Sequence, residues 1–126
     1  MAYVSQEMKK QLAPGIKAVL KKYGMKGSIA VRHHSTLVVN IKGGKLDILK
    51  AAGADEYGRE NLQVNHYWIK ENFDDPRVVA FLSELKDAMQ GPDFFDESDI
   101  MTDYFHLSHY IDINVGRWDK PYILEA

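Results

Sequence analysis

Two stretches of the chain have the hydrophobic spacing of amphipathic helices. Apolar residues recur three or four positions apart after Ser5, a favourable N-cap, and again after Asp75-Pro76, a strong helix start. Gly24 and Gly91 follow the two patterns and predict their ends, while Pro14 predicts either a kink or the start of a second helical segment. The predicted buried stripes are Met8, Leu12, Ile16, Val19, Leu20 and Tyr23 in the first helix, and Val78, Phe81, Leu82, Leu85 and Met89 in the second.

Alternating apolar and polar positions predict strands elsewhere in the chain. A hairpin turn at His34-Ser35 is expected to join the first two strands, and residues 45–52 fit either a short helix or an edge strand. The acid-rich stretch 93–103 lacks such a pattern and is predicted to be a loop. The predicted strands are Ser28–His34, Thr36–Lys42, Asn61–Ile69 and Tyr104–Val115.

This order of elements predicts an α+β fold. We expect a single domain, residues 1–126, in which a mainly antiparallel sheet of three to five strands carries two helices on one face. The link between the first two strands is too short for a parallel crossover, so we expect these two strands to be antiparallel.

Composition narrows the classes of function. The chain contains no cysteine, which excludes disulfides, thiol catalysis and cysteine-ligated metal centres. Its N-terminus lacks the apolar segment of a signal peptide, and its apolar runs are far shorter than the ~20 residues that span a bilayer. The sequence also lacks a Walker A loop, a dinucleotide fingerprint and a zinc-protease helix motif. We therefore expect a soluble, cytoplasmic protein without a membrane partner.

Charge is divided unequally along the chain. Residues 1–50 hold ten basic and two acidic side chains, a net of +8, whereas residues 51–126 hold six basic and sixteen acidic ones, a net of −10. Such a division favours a charged partner, and we expect a host protein or nucleoprotein complex bound by charge complementarity. The candidate partner-binding residues lie in the hairpin, in the acidic loop and after the last strand: Arg32, His33, His34, Asp96, Glu97, Asp99, Arg117 and Trp118.

The first helix offers nucleic acid as an alternative partner. Lys10, Lys17 and Lys21 lie off its apolar stripe and form a basic face, which predicts non-specific and salt-sensitive contact with phosphates. An ordinary solvated helix face explains the same spacing. No RNA-recognition aromatics or zinc knuckle accompany these lysines in the sequence.

Three histidines are the candidates for metal chemistry. His33, His66 and His109 each fall in the apolar phase of a different predicted strand, so a favourable register would bring three imidazoles together as in a three-histidine zinc site. Three separate, partly buried histidines are the competing interpretation. Zinc is the candidate cofactor, and a metal-dependent enzyme with Asp103 or Asp112 as its base is the alternative function.

Three stretches of the sequence resemble a known domain family. They read VRHHST at 31–36, VNHYWI at 64–69, and SDIMTDYF at 98–105 running on to DINVGRWDKPY at 112–122. The set is similar to the large polyvalent-protein-associated domains of phages and mobile elements and covers residues 3–122. The resemblance implies an accessory protein of a mobile element, with counter-defence such as anti-CRISPR or anti-restriction activity as a candidate role. It transfers no catalytic residue, because such families carry no agreed ones.

We therefore expect a binding protein, and we lean against an enzyme. A homodimer formed through an exposed strand edge, with residues 45–52 as the candidate edge, is a further hypothesis.

Overall fold

The computed structural model describes residues 3–92, 109–117 and 119–125, which form a mixed α+β structure and so confirm the predicted fold class. The described helices are α1 (Gln6–Lys22), α2 (Ile48–Ala51), α3 (Ile69–Asn72) and α4 (Pro76–Gln90), with a short 3₁₀ helix at Ala54–Tyr57. The described strands are β1 (Met25–Arg32), β2 (Thr36–Gly44), β3 (Leu62–Val64), β4 (Tyr110–Val115) and β5 (Ile123–Leu124).

The two long helices begin where their capping residues predict. The Ser5 side chain accepts a hydrogen bond from the Met8 backbone N–H at 3.1 Å, and the Asp75 side chain accepts one from the Arg77 N–H at 2.9 Å. Both bonds satisfy backbone donors that a helix N-terminus leaves without partners. Helix α1 continues through Pro14, whose side chain is exposed, so the proline does not start a separate segment.

The sheet has the strand order β1-β2-β4-β3, and β5 pairs with the end of β2. The β1–β2 pair is antiparallel, as predicted, and so is the β3–β4 pair. Strands β2 and β4 run parallel, with Thr36–Ile41 opposite Tyr110–Val115. The sheet is therefore mixed, because the long connection between β2 and β4 allows the crossover that a parallel pair needs.

Strand β3 is much shorter than the predicted strand Asn61–Ile69. The Asn65 Oδ1 accepts a hydrogen bond from the Tyr67 N–H at 3.1 Å, and the Asn65 carbonyl accepts one from the Trp68 N–H at 3.1 Å. These bonds turn the chain away from the sheet. The predicted strand is thus wrong beyond Val64, and His66 lies in a turn.

Residues 45–52 contain helix α2, which confirms the helical alternative for this stretch. The Asp47 carboxylate caps the helix by accepting from the Lys50 N–H at 3.1 Å, and Ile48, Leu49 and Ala51 are buried. Because the stretch is not a strand, it cannot provide the edge that the homodimer hypothesis required. In the described part of the chain, β1 and β3 end the sheet.

The inner face of the sheet is apolar. The alternating residues Leu37, Val39 and Ile41 of β2 are buried next to their parallel partners on β4. Helices α1 and α4 pack against each other and against this face, and their stripes join the same hydrophobic cluster. The most deeply buried members of the cluster include Ile16, Phe81, Leu82, Leu85, Met89 and Ile113.

The opposite face of the sheet carries a polar network around Asp112. The Asp112 side chain is only 5% exposed, and both of its oxygens accept hydrogen bonds. Arg32 Nη2 donates to Oδ2 at 2.6 Å, and Gln63 Nε2 donates to Oδ1 at 2.7 Å. Next to it, Asn114 Nδ2 donates to Asn40 Oδ1 at 3.2 Å. These bonds link β1, β2, β3 and β4, and the guanidinium compensates the cost of burying a carboxylate.

Among the helices that the structure describes, none has both the length and the apolar character needed to cross a membrane.

The ion pair between Arg32 and Asp112 gives a testable stability prediction. Arg32→Ala leaves the buried carboxylate without its cation, and we expect the free energy of unfolding to fall by about 1–3 kcal/mol. Urea unfolding measures the change, with Arg59→Ala as the control because Arg59 is exposed and forms no ion pair with a described residue. Equal losses in the two variants would show that the pair contributes nothing.

Candidate functional site

Four lysines surround a groove beside the end of helix α1, here called the basic groove. Lys17 and Lys21 project from α1, Lys26 comes from β1, and Lys45 follows β2. The groove has a volume of about 560 Å³, and Glu125 is its only acidic lining residue among those that the structure describes. The side chains of Leu20 and Met25 provide its apolar lining.

The turn at Gly24 brings these lysines together. Gly24 has a φ of 67°, a left-handed conformation that ends α1 and redirects the chain into β1. The hairpin register then places Met25 opposite Gly44, and the Lys45 N–H donates to the Gly24 carbonyl at 3.3 Å. A Cβ at Gly24 would lie only 2.9 Å from Lys45 Cδ, so the lysine stem packs directly over the glycine.

The basic groove keeps most of its positive charge. Lys26 Nζ pairs with Glu125 at 3.1 Å, whereas Lys17, Lys21 and Lys45 are exposed and form no ion pair with another described residue. The four lysines and one glutamate leave a net of +3. Desolvated lysines without partners are costly, but here water solvates them and an approaching anion can replace that water.

The three lysines of the predicted basic face are exposed, but only Lys17 and Lys21 line the basic groove. Lys10, Lys17 and Lys21 are all exposed on α1, and helical geometry spreads them over about 16 Å of the helix axis. Sequence reasoning missed Lys45, which only the hairpin register brings to the helix end.

Lys22 faces α4 instead of the groove. Its Nζ donates to Glu84 Oε1 at 2.7 Å, and the Tyr23 hydroxyl donates to the other oxygen of the same carboxylate. The hydrogen bond and charge of Glu84 raise the pKa of Lys22, and the hydrogen bonds from Lys22 and Tyr23 lower the pKa of Glu84.

The β1–β2 hairpin turns at residues 33–35, between the paired Arg32 and Thr36, so the turn contains the predicted His34-Ser35 and begins one residue earlier. His33 and His34 have positive φ angles, 54° and 56°, and the Ser35 N–H donates to the Arg32 carbonyl at 3.3 Å. These angles match the type I′ turn, which fits the twist of a hairpin but favours asparagine and glycine. Both histidines are exposed, as a partner-binding role requires, and that role stays a prediction.

The three histidines proposed as zinc ligands occupy different environments. His33 is at the exposed hairpin tip, His66 is half-buried against the Tyr67 ring, with centroids 4.2 Å apart, and His109 is buried with Nε2 2.9 Å from the Met89 carbonyl oxygen. Within the described residues, no group of three or more histidine, aspartate or glutamate side chains is placed to hold a metal ion. The described residues therefore form no zinc site, and the zinc hypothesis stays a prediction.

The remaining candidates divide into two groups. Arg32 is half exposed but is already bound to Asp112, and Arg117 is exposed with its Nε 3.6 Å from Asp119 Oδ1. Asp96, Glu97, Asp99, Asp103 and Trp118 lie outside the described residues.

Comparison with known proteins finds no matching family model, no matching curated protein and no matching solved structure. The resemblance to the polyvalent-protein-associated domains therefore stays a prediction, and the residues and their geometry carry the functional inference.

The left-handed turn predicts that a double substitution will stabilise the fold. Replacing His33 by Asn and His34 by Gly supplies the residue types that tolerate positive φ, so we expect the free energy of unfolding to rise by about 1 kcal/mol. Urea unfolding measures it. A decrease would show that the two imidazoles make stabilising contacts that outweigh the backbone strain.

The lowered pKa of His66 predicts that the stability of the fold depends on pH. Burial lowers the pKa of its imidazole, the Lys86 ammonium lowers it further, and the Asp112 carboxylate opposes both effects. Because the folded pKa lies below the unfolded value of about 6.5, the neutral ring favours folding above that pH, and this contribution is lost as the pH falls through the folded pKa.

Thermal unfolding at about pH 8 and about pH 5 tests this dependence. The wild-type protein should lose more stability between these values than the His66→Gln variant does. An equal loss in both proteins would contradict the assignment.

Proposed function

We propose that the protein is a non-enzymatic binding protein whose basic groove contacts the phosphate backbone of nucleic acid, either free or within a nucleoprotein complex. The observation that carries the proposal is the convergence of Lys17, Lys21 and Lys45, each exposed and without an ion pair to a described residue. Lys10 extends the same positive surface along α1.

The distribution of acids supports this proposal. A different depression, formed by α2, the 3₁₀ helix and the start of α4, is lined by Asp47, Glu56, Asp74 and Asp75 together with Lys50 and Arg77, which leaves a net of −2. The division of charge along the sequence therefore has a counterpart on the surface. A polyanion bound in the basic groove would meet one described acid there, Glu125, whose charge Lys26 already offsets.

The residue types of the groove favour contact without base recognition. Lysine provides a mobile point charge, whereas reading bases generally uses arginine, asparagine or glutamine with fixed geometry. The groove offers lysines and two apolar side chains, so we expect affinity that depends on salt and little on sequence.

The wider role that we propose is that of a mobile-element accessory protein acting on a host complex. The resemblance in the sequence motivates it, and the basic groove supplies one surface by which such a protein would engage the nucleic acid of that complex. The second candidate, binding of an acidic protein surface, uses the same lysines and differs in its partner.

Fluorescence anisotropy with a labelled single strand of about 20 nucleotides tests the proposal between about 50 and about 200 mM salt. The triple variant Lys17→Gln/Lys21→Gln/Lys45→Gln should bind at least about ten-fold more weakly at low salt. Its slope of log affinity against log salt should fall by about 2, because each phosphate contact contributes about 0.7.

A charge-matched triple variant provides the control. Lys50→Gln/Lys70→Gln/Arg59→Gln removes three exposed cations from elements outside the groove and should bind as the wild-type protein does. Equal weakening in both triple variants would show that affinity depends on the net charge of the protein and not on the basic groove. Binding that is independent of salt, or the absence of binding by the wild-type protein, would overturn the proposal.

A further inference from the structure

The polar face of the sheet contains a cavity separate from the basic groove. Its volume is about 590 Å³, and its walls come from β1, β2, β5 and the connection between β4 and β5. This volume lies within the range of about 300–1,000 Å³ that small-molecule sites occupy. The cavity and the basic groove share no lining residue.

Main-chain hydrogen bonds fix the wall that the β4–β5 connection provides. The Gly116 N–H donates to the Ile41 carbonyl at 2.8 Å, and the Arg117 N–H donates to the Lys120 carbonyl at 2.8 Å. The buried Tyr122 secures the far end, because its N–H donates to the Glu60 carbonyl at 2.9 Å and its hydroxyl donates to the Leu46 carbonyl. These bonds hold the described residues of the wall in place without a ligand.

Gly116 is required for this path of the chain. Its φ is 69°, and an added Cβ would lie 2.6 Å from the Tyr122 nitrogen and 2.8 Å from the Glu60 carbonyl oxygen. A residue with a side chain at this position would therefore clash with the main chain of Tyr122 and Glu60.

The charges around the cavity suit a dianion. Lys42, Arg117 and Lys120 contribute three positive charges and Asp119 one negative charge, a net of +2. The closest approach of Arg117 Nε to Asp119 is 3.6 Å, beyond hydrogen-bond distance, and the two lysines form no ion pair with a described residue. A phosphate monoester carries about −1.5 to −2 at neutral pH and accepts hydrogen bonds from such cations.

The other lining residues suit an organic group attached to that phosphate. Pro121 and Ile123, both exposed, offer apolar surface, and Ser28 and Asn40 offer hydrogen-bonding groups on the sheet. The Asn40 Oδ1 is oriented by the hydrogen bond that it accepts from Asn114. A free phosphate ion would fill only a small part of the cavity.

We propose that this cavity binds a small organic phosphate monoester, with Lys42, Arg117 and Lys120 holding the phosphate and Pro121 and Ile123 contacting the organic group. This site is independent of the basic groove and of the function proposed for it.

A titration followed by nitrogen–proton NMR tests the proposal with three probes: a purine nucleoside 5′-monophosphate, a pentose 5-phosphate and phenyl phosphate. At least one of them should bind saturably at one site, with shifts concentrated at Ser28, Asn40, Lys42 and Lys120. Its dephosphorylated counterpart and inorganic phosphate should each bind at least about ten-fold more weakly, because the first lacks the phosphate and the second lacks the organic group.

Matched variants separate this site from the basic groove. Lys42→Gln and Lys120→Gln change exposed side chains that form no ion pair within the described part of the chain, so both should keep the wild-type melting temperature and each should weaken binding about ten-fold. Lys50→Gln, and the groove variant Lys17→Gln/Lys21→Gln/Lys45→Gln, should bind the probe as the wild-type protein does.

Three results would overturn the proposal. These are no saturable binding of any probe, binding that survives dephosphorylation or both cavity variants, and shifts that centre on the basic groove and vanish in the groove variant. Because the groove variant tests nucleic-acid binding and the cavity variants test phosphate binding, either function can fail without the other.

Discussion

The parallel pairing of β2 with β4 is the constraint on which the rest of the structure depends. It joins two segments that lie far apart in the sequence, and its register decides which residues share a face. Val39 opposite Ile113 belongs to the apolar inner face, whereas Asn40 opposite Asn114 belongs to the polar outer face. A slip of one residue would exchange the two faces and expose the core, so the register is strongly specified.

The same pairing positions both candidate binding regions. On the outer face it places Asp112 within reach of Arg32 and Gln63, so that three strands are joined by one buried carboxylate. Beyond β4, the Gly116 N–H continues the pairing with Ile41 and directs the chain along the cavity wall. Strand β5 then pairs with Gly43 and Gly44 of β2, which brings Glu125 to Lys26 at the basic groove.

The sequence predicted those parts of the fold that local chemistry determines. Helices α1 and α4 have capping side chains, periodic apolar residues and terminal glycines, all of which act within a few residues. The β1–β2 hairpin is likewise local. Strand β3 ended early because the Asn65 side chain and carbonyl form a turn, a competing local signal within an alternating pattern.

The parts that the sequence did not reveal depend on distant pairing. Asn40 and Asn114 are 74 residues apart in the sequence. The apolar and polar alternation along a strand predicts which face a residue occupies, but it does not predict which residues of other strands lie beside it. This explains why Lys45 was missed, since only the register of β1 with β2 brings it beside Gly24. The three histidines share an apolar phase only in the predicted strands, because the structure places His33 and His66 in turns.

The division of charge along the chain acquires a physical meaning through this fold. Four lysines of the first half meet at one end of the sheet: Lys17, Lys21, Lys26 and Lys45. Three acids of the second half line another depression: Glu56, Asp74 and Asp75. In each candidate binding region the lining cations outnumber the lining acids, although each region contains one ion pair, Lys26–Glu125 in the basic groove and Arg117–Asp119 in the cavity. The basic groove and the cavity both keep a net positive charge for this reason.

Cysteine cross-linking across β2 and β4 tests the register most directly, because the natural chain has no cysteine to interfere. Asn40→Cys/Asn114→Cys places two thiols at directly paired positions, and Lys42→Cys/Asn114→Cys places them two residues out of register on the same face. Mild oxidation followed by alkylation and mass spectrometry should show a disulfide in the first variant and free thiols in the second. Preferential cross-linking of the second variant would contradict the parallel register and everything that depends on it.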